Sequence, residues 1–328
     1  MKLIKRVKGL KDFYLHRGQE VRIYKDKICV GDKELKAEPD DDFFEENGNL
    51  TKCKLGKSGT RMLYNNGVFE EERLRYTIAI YFAPDVYYSK MEEGNVFKYS
   101  FMENGTEYLF EIESEKSLSR IEYNPGNSVL MIPTSGDRQL LFYTKTGERL
   151  WVYDEEEVVK GTELKIVRFP SVVDDVVVII SRIITEDIYK AQGFKIRTGE
   201  KLWELRDNDC PDDLFLGEDK KLYGCYSYYD NLMLYCIDPF SGKMEGFAVK
   251  TNDEGINVCP WNVSMHNNRL YYGSNRPGCE FGIIDCGKKE LVESVALGLK
   301  SGYQIGAPIV SDGKVYVFGG GELRVYEL

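Results

Sequence analysis

Histidine is nearly missing: the 328 residues include two, His16 and His266. A Ser/His/Asp arrangement needs a histidine, and neither of these has a recognisable nucleophile elbow. Zinc is disfavoured for a related reason, since neither lies near a cysteine pair at finger spacing. The eight cysteines (29, 53, 210, 225, 236, 259, 279, 286) include no Cys-x-x-Cys pair. They read as reduced thiols in strands and loops, not as a disulfide framework. No apolar run approaches the ~18 residues a spanning helix requires, so no membrane partner is expected. The start, Met1-Lys2-Leu3-Ile4-Lys5-Arg6, lacks the apolar stretch of a secretory signal, which points to a cytoplasmic address. Phosphate loops are missing too. Gly319-Gly320-Gly321 falls between two apolar strands and not before a helix, so it reads as a hairpin. Basic residues are in deficit, 44 Lys and Arg against 54 Asp and Glu, for a net charge of −10. That balance argues against nucleic acid, whose binding depends on neutralising phosphates.

What is present is a repeat. Thr146-Gly147-Glu148-Arg149-Leu150-Trp151 is nearly duplicated as Thr198-Gly199-Glu200-Lys201-Leu202-Trp203. Weaker copies are Asn104-Gly105-Thr106-Glu107, Ser241-Gly242-Lys243-Met244 and Cys286-Gly287-Lys288-Lys289. Their glycines lie 42, 52, 43 and 45 residues apart, the period of a four-stranded propeller blade and not of a helical repeat. A large apolar residue follows each turn (Phe110, Trp151, Trp203, Phe247, Leu291) and is expected to wedge between neighbouring blades. Between the turns run strand-like segments such as Val176 to Ile180, Leu232 to Asp238 and Lys314 to Phe318. No amphipathic helix of about ten residues is legible. The class predicted is all-β, a single β-propeller domain over residues 1–328.

The last blade contains strands at Ala307 to Val310, Lys314 to Phe318 and Glu322 to Leu328, and its fourth strand is missing. Lys2 to Val7 is a strand with nothing before it, and it is predicted to complete that blade, because propellers avoid an open edge. With a first blade turning at Gly48, seven four-stranded blades fit best, six and eight being the alternatives.

These residues resemble the pyrroloquinoline-quinone-type propeller repeat, also seen in the outer-membrane assembly propeller lipoprotein family. That repeat has an Asp, then Thr-Gly-Lys, then a Trp. Tyr235 to Lys243 matches its first half, the two Thr-Gly-Glu phrases its second, and Ala307 to Val317 its two inner strands. The resemblance covers roughly residues 100–328. It departs at Tyr143 and Lys195, which replace the Asp, and at Gly246, near the Trp position. Quinoprotein dehydrogenases of this kind carry adjacent cysteines that cap the cofactor, acidic calcium ligands and a catalytic Asp. No two cysteines are adjacent here, so the resemblance implies fold and transfers no cofactor-binding or catalytic residue.

In a blade, the second-to-third loop and the loop leaving the outer strand emerge at one end, and the other loops at the opposite end. On that reading one face collects Glu111, Glu113, Glu115, Asp154, Glu155, Glu156, Glu157, Asp207, Asp209, Asp212, Asp213, Asp253 and Glu254, joined by Asp40-Asp41-Asp42. Tyr228, Tyr229 and Asp230 are expected in a loop there, with Tyr87 and Tyr88 in the equivalent loop of an earlier blade. The other face takes Lys145, Arg149, Arg197, Lys201, Lys243, Lys288 and Lys289. An acidic face bearing tyrosines suits a basic protein partner. Asp207 to Asp213 offers carboxylates but lacks the glycine and terminal glutamate of a calcium loop, so neither metal nor cofactor is expected. The function predicted is a non-enzymatic binding module, in its specific form an immunity protein that inhibits a bacterial toxin. The competing readings are a propeller glycoside hydrolase or lyase acting at the axial pocket, and a scaffold or ligand-sensing domain.

Overall fold

The computed structural model describes residues 1–328 except 47–48, 55–61, 72–77, 84–85, 135–138, 155–163, 167–169, 184–187, 208–209, 211–212, 229–230, 250–257, 275–277 and 300–304. Its strands form eight antiparallel sheets. In chain order these are blade 1 (residues 12–36), blade 2 (41–71), blade 3 (78–113), blade 4 (122–154), blade 5 (164–207), blade 6 (215–249), blade 7 (258–299) and blade 8 (309–327 with 2–8). Seven sheets have four strands. Blade 5 has five, because its first strand is split into Leu164–Ile166 and Ser171–Val173.

The count is therefore eight, not the expected seven. The miscount lies before residue 100. Blade 1 is built from strands of four or five residues, with its third-to-fourth turn at Gly31. Blade 2 makes the corresponding turn at Gly67. Neither turn carries a Thr-Gly-Glu phrase. Gly48, expected as the first turn, lies outside the described residues.

The chain divides into two compact units. One, Gly9–Tyr153, holds blades 1 to 4 up to the last residue of the Arg149–Asp154 strand. The other, Met1–Lys8 with Asp154–Leu328, holds blades 5 to 8.

Within each unit the core lies between successive blades. Val21, Ile28 and Val30 of blade 1 meet Phe43 and Leu50 of blade 2. Tyr88, Tyr99 and Phe101 of blade 3 meet Leu130 and Ile132 of blade 4. Val176, Val178 and Ile180, the run read as a strand covered on both faces, meet Leu222 and Ile237 of blade 6. Blades 6 and 7 share Leu232, Leu234, Leu270 and Ile284, and blades 7 and 8 share Phe281, Val315 and Tyr326. Interdigitation of this kind covers the facing sides of these sheets and explains the continuous apolar inner strands.

Three of the five expected wedges, Phe110, Trp203 and Phe247, meet the next blade. Phe110, on the outer strand of blade 3, occupies the space where a Cβ on Gly147 would stand, in the outer turn of blade 4. Trp203 of blade 5 does the same to Gly242 of blade 6. Both glycines also have positive φ, 85° and 73°, so both the backbone and the neighbouring blade select against a side chain. Phe247 of blade 6 lies under Lys289 of the blade 7 turn, whose ammonium is 3.6 Å from the ring centre. Trp151 instead stacks on Phe142 of its own blade at 3.8 Å.

Blade 8 is completed as the sequence predicts. Lys2–Lys8 pairs antiparallel with Glu322–Glu327, from Lys2 opposite Glu327 to Lys8 opposite Glu322. Arg6 reaches the carboxylate of the buried Glu322 at 2.6 and 2.8 Å, and Arg324 donates to the same group at 2.5 Å.

Candidate functional site

Each blade has two ends. The first-to-second and third-to-fourth hairpins leave at one, and the second-to-third and outgoing connections at the other. At the hairpin end the cations singled out by sequence are present and mostly matched by acids. Lys145 meets Glu103 at 2.5 Å, Lys201 meets Glu204 at 3.0 Å, and Lys243 meets Glu245 at 2.7 Å. Lys289 shares Glu245 at 3.6 Å, and Lys288 is 3.8 Å from Glu290. The Glu103 pair is reinforced by the Tyr123 hydroxyl, which donates at 2.5 Å. Lys145 and then Tyr123 hold the Glu103 carboxyl below its ordinary pKa.

The opposite end is described in part. Asp154 ends the strand Arg149–Asp154 and is half-buried. Asp207 ends Lys201–Asp207, opposite Tyr189 in the register, and Tyr228 ends Leu222–Tyr228, opposite Asn231. Asp213 is half-buried just before Phe215–Leu216. Glu155, Glu156, Glu157, Asp209, Asp212, Tyr229, Asp230, Asp253 and Glu254 lie outside the described residues.

Three expectations are corrected. Asp41 is not a surface acid. It lies in the strand Asp41–Glu46, its side chain fully buried against the Lys52 ammonium at 2.7 Å and accepting from the Glu38 amide at 2.8 Å. Glu111 and Glu113 are exposed on the outer strand Thr106–Glu113, alternating with the buried Phe110 and Ile112; Glu111 lies within the strand and not in a loop, whereas Glu113 ends it where the outgoing connection leaves. Tyr87 and Tyr88 belong to the strand Val86–Glu93; Tyr88 is fully buried, and its hydroxyl accepts from the Ile121 amide of the next blade at 3.0 Å. At the end of blade 1 opposite its hairpins, Lys11, Lys25 and Lys36 surround a cleft of about 670 Å³ with Asp26, Ala37, Glu38 and Pro39. Lys36 pairs there with Glu38 at 2.9 Å, and Lys11 stands 3.9 Å from Asp42.

Among the described residues no group of three or more His, Cys, Asp or Glu side chains converges on a metal position. Cys29, Cys225, Cys236 and Cys286 are free thiols. Cys225, Cys236 and Cys286 share the core of blades 6 and 7, and burial raises the pKa of each, that of Cys286 to about 12. At neutral pH these three are protonated and make poor nucleophiles.

A second cleft, of about 430 Å³, opens at the hairpin end between blades 1 and 2. His16, Arg17, Gln19, Asp32 and Lys33 line it from blade 1, and Tyr64 and Asn66 from blade 2. His16 is only 3% exposed, and its Nδ1 has no hydrogen-bond partner. Burial first, and the charge of Arg17 second, lower its pKa. Sequence reading set His16 aside for want of a motif. Its neighbours come from another blade, up to 50 residues away, so no local phrase could have announced the site.

These features define a β-propeller of eight blades. No family model matches the sequence, and no curated protein does. Among solved structures, the crystal structure of BamB from Moraxella catarrhalis aligns with a TM-score of 0.62 at 11% identity, covering 99% of each chain. The crystal structure of Saccharomyces cerevisiae Sqt1 aligns at 0.55 with 12% identity, covering 100% of each chain. At these identities the likeness establishes the fold.

Proposed function

We propose that this propeller is a non-enzymatic protein-binding module whose second unit, blades 5 to 8, docks a basic protein at the end opposite its hairpins. The observation that carries the reading is charge compensation at the hairpins. Lys195 with Asp175, Lys201 with Glu204, Lys220 with Asp174, and Lys243 and Lys289 with Glu245 neutralise one another locally. The chain's excess of acid therefore belongs elsewhere. In this unit it concentrates in the segments that follow Asp154, Asp207, Tyr228 and Val249, where Glu155, Glu156, Glu157, Asp209, Asp212, Asp253 and Glu254 stand against Lys160 and Lys250. An acidic end of this kind speeds encounter with a basic partner and repels anions. Tyr228 and Tyr229 supply aromatic area of the type that anchors protein contacts. The repeat resembles the pyrroloquinoline-quinone-type pattern without the adjacent cysteines of its dehydrogenases.

In its most specific form the partner is a basic toxin that the module neutralises. The test is affinity capture from native lysate, using the wild-type chain and a variant with Asp209, Asp212, Asp213, Asp253 and Glu254 changed to Asn or Gln. A basic protein held by the wild type, lost from the variant and released by salt supports the reading. Equal capture by both baits overturns it. Co-expression with the captured protein then separates inhibitor from plain scaffold, because only an inhibitor relieves toxicity.

A further inference from the structure

Lys2–Lys8 is the outermost strand of blade 8. One of its edges pairs with Glu322–Glu327, and the other has no neighbour in the sheet. Among the outer strands it stands apart in charge, with Lys2, Lys5, Arg6 and Lys8 and no acid. The outer strand of every other blade contains at least one Asp or Glu, from Glu34 in blade 1 to Glu290 in blade 7. Arg6 is held by Glu322, and Lys5 is also engaged. Lys2, opposite Glu327 in the register, and Lys8 are exposed and form no ion pair among the described residues.

The strand is also apolar on its outside. The register passes from Leu3 opposite Tyr326 to Lys5 opposite Val325, so Ile4 is the extra residue of a bulge. A bulge breaks the alternation of faces, which lets Leu3 and Ile4 both reach solvent, at 45% and 43% exposure. Among the described residues no other outer strand exposes two neighbouring large apolar side chains. Lysines and a bulge keep an edge from pairing indiscriminately. The lysines act by charge, so a strand bearing carboxylates turns the repulsion into attraction. Opposite charges directly across a strand pair stabilise it, and like charges destabilise it.

We infer that blade 8 accepts an acidic, extended segment of another protein as an added strand alongside Lys2–Lys8. The segment's backbone pairs along the regular run, residues 5–8. Its carboxylates meet Lys2 and Lys8, and an apolar side chain covers Leu3 and Ile4. In strand addition of this kind main-chain bonds give affinity and side chains give selectivity. The edge rests on other residues than the proposed docking of a basic protein and asks for the opposite charge, so either reading can fail alone.

The test uses two fluorescein-labelled octapeptides, one of alternating Glu and Val and one of alternating Thr and Val. Each is titrated with the full-length chain and followed by fluorescence anisotropy. The Glu peptide is expected to bind saturably, and the Thr peptide about threefold or more weakly, for want of the cross-strand charge pairs. Lys2→Gln combined with Lys8→Gln should weaken the Glu peptide by a similar factor, and Lys2→Arg combined with Lys8→Arg should retain it. Neither lysine is buried, so these variants keep the fold. Val292→Asp, on the exposed outer strand of blade 7, should leave binding unchanged. In isotope-labelled protein the amide shifts caused by the Glu peptide should centre on Lys2–Lys8. No saturable binding, equal binding of the Thr peptide, undiminished binding by the Lys-to-Gln pair, or shifts centred on another outer strand would each overturn the assignment.

Discussion

The indole N–H of Trp203 donates to the Pro239 carbonyl at 2.7 Å, joining the outer strand of blade 5 to the outer turn of blade 6. The same ring lies within 2.5–2.8 Å of where a Cβ on Gly242 would stand. One side chain thus closes the joint by hydrogen bond and by shape. Trp203→Phe should cost about 1–2 kcal/mol, since the buried carbonyl loses its donor. Gly242→Ala should cost at least about 1–2 kcal/mol from its positive φ alone. Urea denaturation of both single variants and the double checks this. The double variant should fall short of the sum, because both changes disturb one contact.

Asp41 and Lys52 form a buried ion pair in blade 2. Lys52→Met leaves the carboxylate buried without its cation and should destabilise by about 3–5 kcal/mol. Asp41→Asn combined with Lys52→Met should recover part of that loss. A Lys52→Met protein as stable as wild type in chemical denaturation would show that the pair carries no weight.

Glu103 predicts a pH dependence. Its carboxyl is held below the ordinary 4.5 by Lys145 and Tyr123. A depressed folded-state pKa contributes stability that is present above the unfolded value and lost as pH falls through the folded one. Thermal melts of wild type should therefore fall as pH drops below about 4.5, and Glu103→Gln should make that acid limb shallower. An unchanged limb would count against the Glu103 contribution.

Deleting residues 2–8 removes the fourth strand of blade 8 and exposes the Glu322–Glu327 strand as an edge. Open edges recruit other strands. The truncated chain is expected to oligomerise in size-exclusion chromatography at concentrations where the full chain is monodisperse, and Arg6→Met alone is not.

The repeat was legible wherever a turn glycine and a following aromatic recur, as at Gly147 with Trp151 and Gly199 with Trp203. At Gly147 and Gly242 the turn needs both a positive φ and room for a ring from the blade before. Closure by Lys2–Lys8 was legible because a three-stranded remainder and an orphan strand imply each other. Blades 1 and 2 were not told apart because their short strands rely on Gly31 and Gly67 without the aromatic phrase. Asp41 was misread because a carboxylate buried by a lysine from the next strand looks, in sequence, like part of an acidic run. The His16 cleft was invisible because its two walls are separate in sequence and meet only when blades 1 and 2 pack.

The proposed docking of a basic protein on the second unit is tested most directly by the association rate of the captured partner, measured against salt. For the wild-type chain the rate should fall at least about tenfold between roughly 0.05 and 0.5 M salt, as screening removes electrostatic steering. For the variant neutralised at Asp209, Asp212, Asp213, Asp253 and Glu254 it should start low and stay nearly flat. A rate that ignores salt, or that the five substitutions leave unchanged, would contradict the account.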